Sequence, residues 1–291
     1  GLYPNGSTGE FIRLSFEERL RVVEIIADVN RGRIPILAGA SEGNLDLTLK
    51  ACEHYHHLGC IAVSLTGPYY YKVTPDGVET YFREVARESP IPILIYNIPK
   101  SANDIPLEVV ERLAGDCPQI IGTKDSSRDM PRTMHLLNTV KKTRPDFAVL
   151  SGTEEILFPS LLMGCDGGTI ASAGIVPEAI TGIYDAYLSG DLEKGKRLQF
   201  MVIELIEAML QAGNFPDGFR IAATMRGFEM GKSRQPQSPE SHRAQEPIRE
   251  RIACLLADCG VNEAETYCPR DAGSDRADGP IDRDRVEAIV Q

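Results

Sequence analysis

The feature that most limits what this chain can fold into is a regular alternation between two hydrophobic periods. Short apolar or β-branched runs at 34–38, 60–65, 91–96, 119–123, 147–150 and 168–171 are separated by stretches with helical spacing at 16–29, 45–58, 80–88, 107–114, 130–143 and 156–163. Strand followed by helix, at about 25–30 residues per unit, is the pattern of βα repeats around a parallel sheet. The strand runs are continuous rather than alternating, as a sheet covered on both faces requires. After the sixth run only helical spacing remains, at 177–188, 191–211, 218–230 and 246–259. The stretch from 265 to 284 is rich in Asp, Arg, Gly and Pro with little to bury, and reads as disordered; a short helix is compatible with 285–290. The expected organisation is a βα region over 1–175, a helical region over 176–262 and a disordered tail over 263–291.

Composition removes several function classes. The chain is 42% hydrophobic and 25% charged, as ordinary globular proteins are. Its 31 basic and 42 acidic residues leave a net charge of −11, so it has no general attraction for nucleic acid or anionic lipid. No apolar run approaches the ~18 residues of a membrane-spanning helix, and the first ten residues lack the pattern of a signal peptide. The seven cysteines, at 52, 60, 117, 165, 254, 259 and 268, are dispersed and odd in number. They read as buried or idle thiols of a cytoplasmic protein, with neither a disulfide framework nor a zinc site.

Several strand ends carry residues suited to chemistry. Lys124 follows the apolar run at 119–123, where strand C-termini open into active sites. A partly desolvated lysine there is an amine nucleophile for a ketone, although position alone does not separate this from a solvated lysine. Tyr96 ends another strand and offers a phenol for proton transfer, or simple packing. Gly6-Ser7-Thr8-Gly9-Glu10 supplies hydroxyls and backbone N–H groups in a turn, a carboxylate cradle or just a turn. Glu154 and Glu155 follow a strand and suit either substrate hydroxyls or a helix N-terminus. His54, His56 and His57 fall at a helix end with no third ligand in view, and so do not read as a metal site. Gly164-Cys165-Asp166-Gly167-Gly168 lacks the Gly-Lys-Ser/Thr ending of a phosphate loop.

Taken in order, Gly6–Glu10, Pro68-Tyr69-Tyr70, Tyr96-Asn97-Ile98-Pro99, Gly122-Thr123-Lys124-Asp125, Ser151-Gly152 and Gly164–Gly168 resemble the dihydrodipicolinate synthase / N-acetylneuraminate lyase family of class I aldolases. The resemblance covers roughly residues 1–262. It implies a (β/α)8 TIM barrel followed by helices, in a homodimer or homotetramer. Against that pattern the first strand, the first helix and most of the second strand are not in evidence. Periodicity by itself leaves a six-stranded doubly wound sheet equally open.

The resemblance further implies that Lys124 forms a Schiff base with a 2-oxo acid, pyruvate, using no metal or organic cofactor. Tyr96 would shuttle the proton, and Tyr70 would reach a neighbouring subunit's site. Ser7, Thr8 and Gly9 would hold the α-carboxylate. Ser101, Gly152, Thr153, Glu154, Glu155 and Ala171 would line the rest of the substrate site. True dihydrodipicolinate synthases place an arginine where this chain has Ser101, preceded by Lys100. If that segment is extended, Lys100 should point to the opposite side of the chain. A site without that guanidinium is more similar to 2-keto-3-deoxy sugar-acid aldolases than to the synthases. The alternatives are dihydrodipicolinate synthase, an N-acetylneuraminate lyase-like enzyme, a keto-deoxy sugar-acid dehydratase and an inactive fragment.

Overall fold

A computed structural model describes residues 1–269. Six parallel strands, β1 Leu37–Gly39, β2 Ala62–Thr66, β3 Ile93–Asn97, β4 Ile120–Asp125, β5 Ala148–Ser151 and β6 Gly167–Gly168, lie side by side in chain order. Helix α1 (Phe16–Asn30) precedes β1. Helices α2 (Leu45–His57), α3 (Pro75–Glu88), α4 (Leu107–Asp116), α5 (Met130–Thr143) and α6 (Leu157–Leu162) make the crossovers. The unbroken strand order excludes the doubly wound alternative, in which the order reverses at a switch point. The sheet is a half-barrel. Beyond β1, Leu2 adds one parallel bridge to Ile36, and Gly39 N–H donates to Pro4 O at 2.9 Å.

Local chemistry explains the helix starts. Ser15 and Glu18 form a reciprocal capping box on α1. Thr74 caps α3 with Pro75 at its first position, and Asp129 caps α5. Residues 75–79 therefore belong to α3, although their apolar spacing is too sparse to suggest a helix before 80. The βα half packs around one core that includes Val63, Phe82, Ile95, Leu113 and Phe147.

Four further helices follow: α7 Pro177–Ser189, α8 Leu192–Gln211, α9 Asp217–Met225 and α10 Pro239–Asp258. Their core, with Ile183, Leu205, Ile206 and Leu256 at its centre, also takes Leu157, Phe158 and Ile170 from the βα half. Helix α9 ends at Met225 rather than continuing to 230, because Gly227 turns the chain at φ 86°. Helix α10 starts before 246 and carries Pro247 within it.

Two expectations need correction. Cys254 and Cys268 are joined in a disulfide, so not all the cysteines are idle thiols; the pairing ties α10 to the segment after it. That segment forms a 3-10 helix, Asn262–Tyr267, with Ala264 buried, so the tail expected from 263 begins in packed structure. Residues 270–291, which carry the rest of the disordered-tail reading and the helix at 285–290, lie outside the described residues. Among the described residues no helix is long and apolar enough to cross a membrane.

Candidate active site

The C-terminal ends of the strands face a cavity of about 990 Å³. Lys124 and Tyr96 are opposed in the register of β4 and β3, one position before each strand ends. Lys124 is only 5% exposed. Its Nζ lies 4.0 Å from the centroid of the Tyr96 ring and 4.6 Å from that of Tyr3. Burial pushes its amine below the ordinary lysine range, while Tyr96 and then Glu154 pull it back up. Tyr3 donates to Ser64 Oγ at 3.1 Å, and burial raises its phenol. An amine held in this way supplies an uncharged nucleophile at neutral pH more readily than a solvated one.

Behind Lys124 a polar network fixes the strand end. Asp125 accepts from Arg132 Nε at 2.8 Å, Asn97 Nδ2 at 3.0 Å and Ser127 N–H at 2.7 Å. Its carbonyl accepts from Gly152 N–H at 2.8 Å. Gly152 has no room for a side chain: a Cβ there would lie 2.2 Å from Ser126 Oγ and 3.0 Å from Lys124 Cε.

Ser7, Thr8 and Gly9 border the cavity on a loop stretched over β1. Gly39 permits that approach, since a Cβ there would lie 2.2 Å from the Asn5 carbonyl oxygen. Asn5 donates to Arg19 O at 2.9 Å and Tyr55 Oη at 3.1 Å. The far end of the loop is held by Glu10, which pairs with Arg13 at 2.7 Å and with Arg220 of α9.

Gly152, Thr153, Glu154, Glu155 and Ala171 form another wall of the same cavity. Glu154 is buried, which raises its carboxyl despite its hydrogen bonds. Its Oε1 accepts from Ser172 N–H and Ser172 Oγ, each at 2.8 Å. Glu154 thus anchors the short helix Ala171–Gly174 as well as lining the site. Thr153 Oγ1 and Glu155 Oε2 are buried with no hydrogen-bond partner.

The segment after β3 differs from the extended form expected. Ser101 N–H and Ala102 N–H both donate to Ile98 O, at 2.9 and 3.0 Å, so the chain turns. Lys100 and Ser101 consequently both line the cavity, and Lys100 is not directed away from it. Tyr70 is not brought to Lys124: it is 87% exposed, at φ 74°, against Tyr71.

Sequence reasoning passed over Tyr3 and Arg128. Tyr3 precedes the Ser7–Thr8 loop at the end of an extended stretch, a signal as clear as that for Tyr96. Arg128 lies in the loop after Lys124, where only the fold shows which way the chain turns. Among the described residues no group of three His, Cys, Asp or Glu side chains is placed to hold a metal ion. His54 pairs instead with Glu24, at 3.0 Å.

A half-barrel of parallel strands with a desolvated lysine at the end of a strand defines an α/β enzyme of carbonyl chemistry. The chain belongs to the dihydrodipicolinate synthetase family, whose model matches residues 1–254. Members of that family are pyruvate-dependent lyases that act through a Schiff base. A probable 2-dehydro-3-deoxy-D-pentonate aldolase of Escherichia coli K12, YjhH, is 33% identical over 70% of this chain and 68% of its own length. The 4-hydroxy-tetrahydrodipicolinate synthase of Methanosarcina barkeri is 32% identical over 90% of this chain and 87% of its own. Among solved structures, the E. coli K12 prophage protein YagE in complex with pyruvate superposes with a TM-score of 0.80. It is 28% identical, over 90% of this chain and 87% of its own.

Proposed function

We propose that this enzyme is a class I aldolase that cleaves a 2-keto-3-deoxy sugar acid of the gluconate type to pyruvate and a hydroxylated aldehyde. The observation that carries the reading is the amine of Lys124, desolvated at a strand end between the rings of Tyr3 and Tyr96. Lys124 adds to the C2 ketone and water leaves, giving a protonated imine. Tyr96 takes the proton from the C4 hydroxyl, and the C3–C4 bond breaks with its electrons moving into the imine. The aldehyde departs, the enamine is protonated at C3, and hydrolysis returns the lysine and pyruvate. Ser7, Thr8 and Gly9 hold the α-carboxylate through hydroxyls and backbone N–H groups. Ser101, Thr153, Glu155 and the wall around Gly152, Glu154 and Ala171 receive the hydroxylated tail. The exposure of Tyr70 fits a residue offered to a second copy of the chain in a homodimer or homotetramer.

The second reading is the dihydrodipicolinate synthase reaction, condensation of pyruvate with aspartate semialdehyde; a 4-hydroxy-tetrahydrodipicolinate synthase is among the relatives. Lys100 on the cavity wall favours it, because an anionic aldehyde needs a cation. One preparation tests both. Borohydride with pyruvate should attach one reduced pyruvate to Lys124, and kcat/KM for cleaving 2-keto-3-deoxygluconate should exceed that for the condensation. Labelling at another lysine, or faster condensation, overturns the corresponding part.

A further inference from the structure

The cavity holds a cation that is already spoken for. Arg128 follows β4 with its backbone in the left-handed region, φ 66°, which non-glycine residues adopt where surroundings dictate it. Its guanidinium meets Glu155 Oε1 at 2.6 Å. The other oxygen of that carboxylate, Oε2, is buried without a hydrogen-bond partner, and so is the Oγ1 of Thr153 two residues earlier. The Lys, Arg and Glu side chains on the cavity walls are Lys100, Lys124, Arg128, Glu154 and Glu155. Lys124 belongs to the reacting carbon and Glu154 is committed to Ser172. With Lys100 exposed to solvent, Arg128 and Glu155 are the paired charges set into the wall that the far end of a substrate meets.

A ligand hydroxyl carries no charge for this pair to oppose. A ligand carboxylate would instead face Glu155, a like charge, while the arginine that suits it is occupied. We infer that the Arg128–Glu155 ion pair selects the aldehyde. Paired, it neutralises the guanidinium, admitting hydroxyl-bearing tails and turning away carboxylate-bearing ones. With Glu155 neutral, the guanidinium becomes a carboxylate receptor. Arg128 is then a positioning residue for Glu155, and the exclusion of anionic aldehydes is built into the pair and not left to the missing arginine at Ser101. The inference rests on the aldolase reading above and deepens it.

The test compares wild type, Glu155→Gln and Arg128→Gln in the full chain. Each condenses pyruvate with glyceraldehyde, the hydroxylated probe, and with succinic semialdehyde, the carboxylated one. Wild type should favour glyceraldehyde. Glu155→Gln should move the kcat/KM ratio toward succinic semialdehyde by about tenfold or more, the scale of removing a like-charge contact. Arg128→Gln should weaken glyceraldehyde use mainly through KM, with no gain for the anionic probe. A ratio that stays put in Glu155→Gln, or an Arg128→Gln variant that gains the anionic aldehyde, overturns the inference. Pyruvate trapping in the wild type separates the levels. If no pyruvate is trapped the aldolase reading falls and takes this inference with it, whereas trapping with an unmoved ratio removes this inference alone.

Discussion

Lys124 and Tyr96 are register partners on neighbouring parallel strands, and the amine of one lies 4.0 Å from the ring centre of the other. Strand pairing brings them together, because side chains at paired positions project to the same face. Their relationship survives loop motion, since neither sits on a loop. The geometry also gives Tyr96 two roles that single substitutions can tell apart: the ring borders the amine, and the hydroxyl, which hydrogen-bonds with it, is the group able to exchange a proton.

Tyr96→Phe should keep pyruvate trapping at Lys124 and slow carbon–carbon cleavage by about 10²–10⁴-fold, the range for losing a general acid–base group. Turnover of 2-keto-3-deoxygluconate and borohydride labelling, measured side by side, check it. Turnover within about threefold of wild type would mean that the phenol moves no proton in the slow step.

The buried amine has a signature in stability. Its folded-state pKa is lowered, so between that value and the ordinary 10.5 the unfolded chain binds more protons than the native one. Stability from this group therefore rises with pH across that window, and its cost is fully present below it. In the absence of pyruvate, Lys124→Met should melt above wild type at neutral pH, and the gap should close as pH approaches 10.5. Thermal unfolding at several pH values reads this directly; a gap independent of pH would show that the amine is not desolvated.

Arg132→Gln should destabilise the fold by about 3–5 kcal/mol, the usual cost of leaving one partner of a buried ion pair alone. The pair qualifies, because the Arg132 and Asp125 side chains are 13% and 8% exposed and meet at 2.8 Å. Urea denaturation gives the loss. The same substitution leaves an uncompensated carboxylate on the residue next to Lys124, so the pH profile of imine formation should move upward. A wild-type midpoint with a wild-type profile would mean that Asn97 and Ser127 suffice for Asp125.

Gly152→Ala should cost activity out of proportion to stability. The new methyl would lie 2.2 Å from Ser126 Oγ and 3.0 Å from Lys124 Cε, so the lysine or its support has to move. Displacement of a nucleophile by about 1 Å can cost about 10²-fold in rate. Comparing kcat with the melting temperature settles it: a rate within a few-fold of wild type would show that the wall yields without disturbing the lysine.

Five of the six strands lie over their apolar runs, and β2 and β3, buried at every position, match theirs best, because a strand covered on both faces leaves little choice of residue. Their ends were less legible. Pro35 has no N–H to give to a ladder, and Ile36 bridges Leu2 while its carbonyl accepts from Ile61 N–H at 2.9 Å, so β1 begins at Leu37 rather than at 34. β6 is displaced to Gly167–Gly168, meeting the expected 168–171 only at Gly168, before the chain turns into the helix anchored by Glu154. In the site, the motif residues around Lys124, Ser7 and Thr153 were readable as types at strand ends. What escaped was partnership. That Glu155 meets Arg128 while Glu154 meets Ser172 depends on how two loops and a short helix fold against each other, and adjacent acids give no hint of which does which. The Cys254–Cys268 bond escaped for a related reason, since an odd set of dispersed cysteines does not announce one pair.

The latch between Glu10 and Arg220 joins residues 210 positions apart, and this orders events during synthesis. At about 5–20 residues per second, a ribosome delivers Arg220 some 10–40 s after Glu10. Through that interval the strands and their helices have emerged while the loop bearing Ser7 and Thr8 lacks its far anchor. The support of the Ser7–Thr8 loop is therefore completed by a helix made some 210 residues later, and a nascent chain stalled before α9 carries Lys124 before that loop is held at its far end.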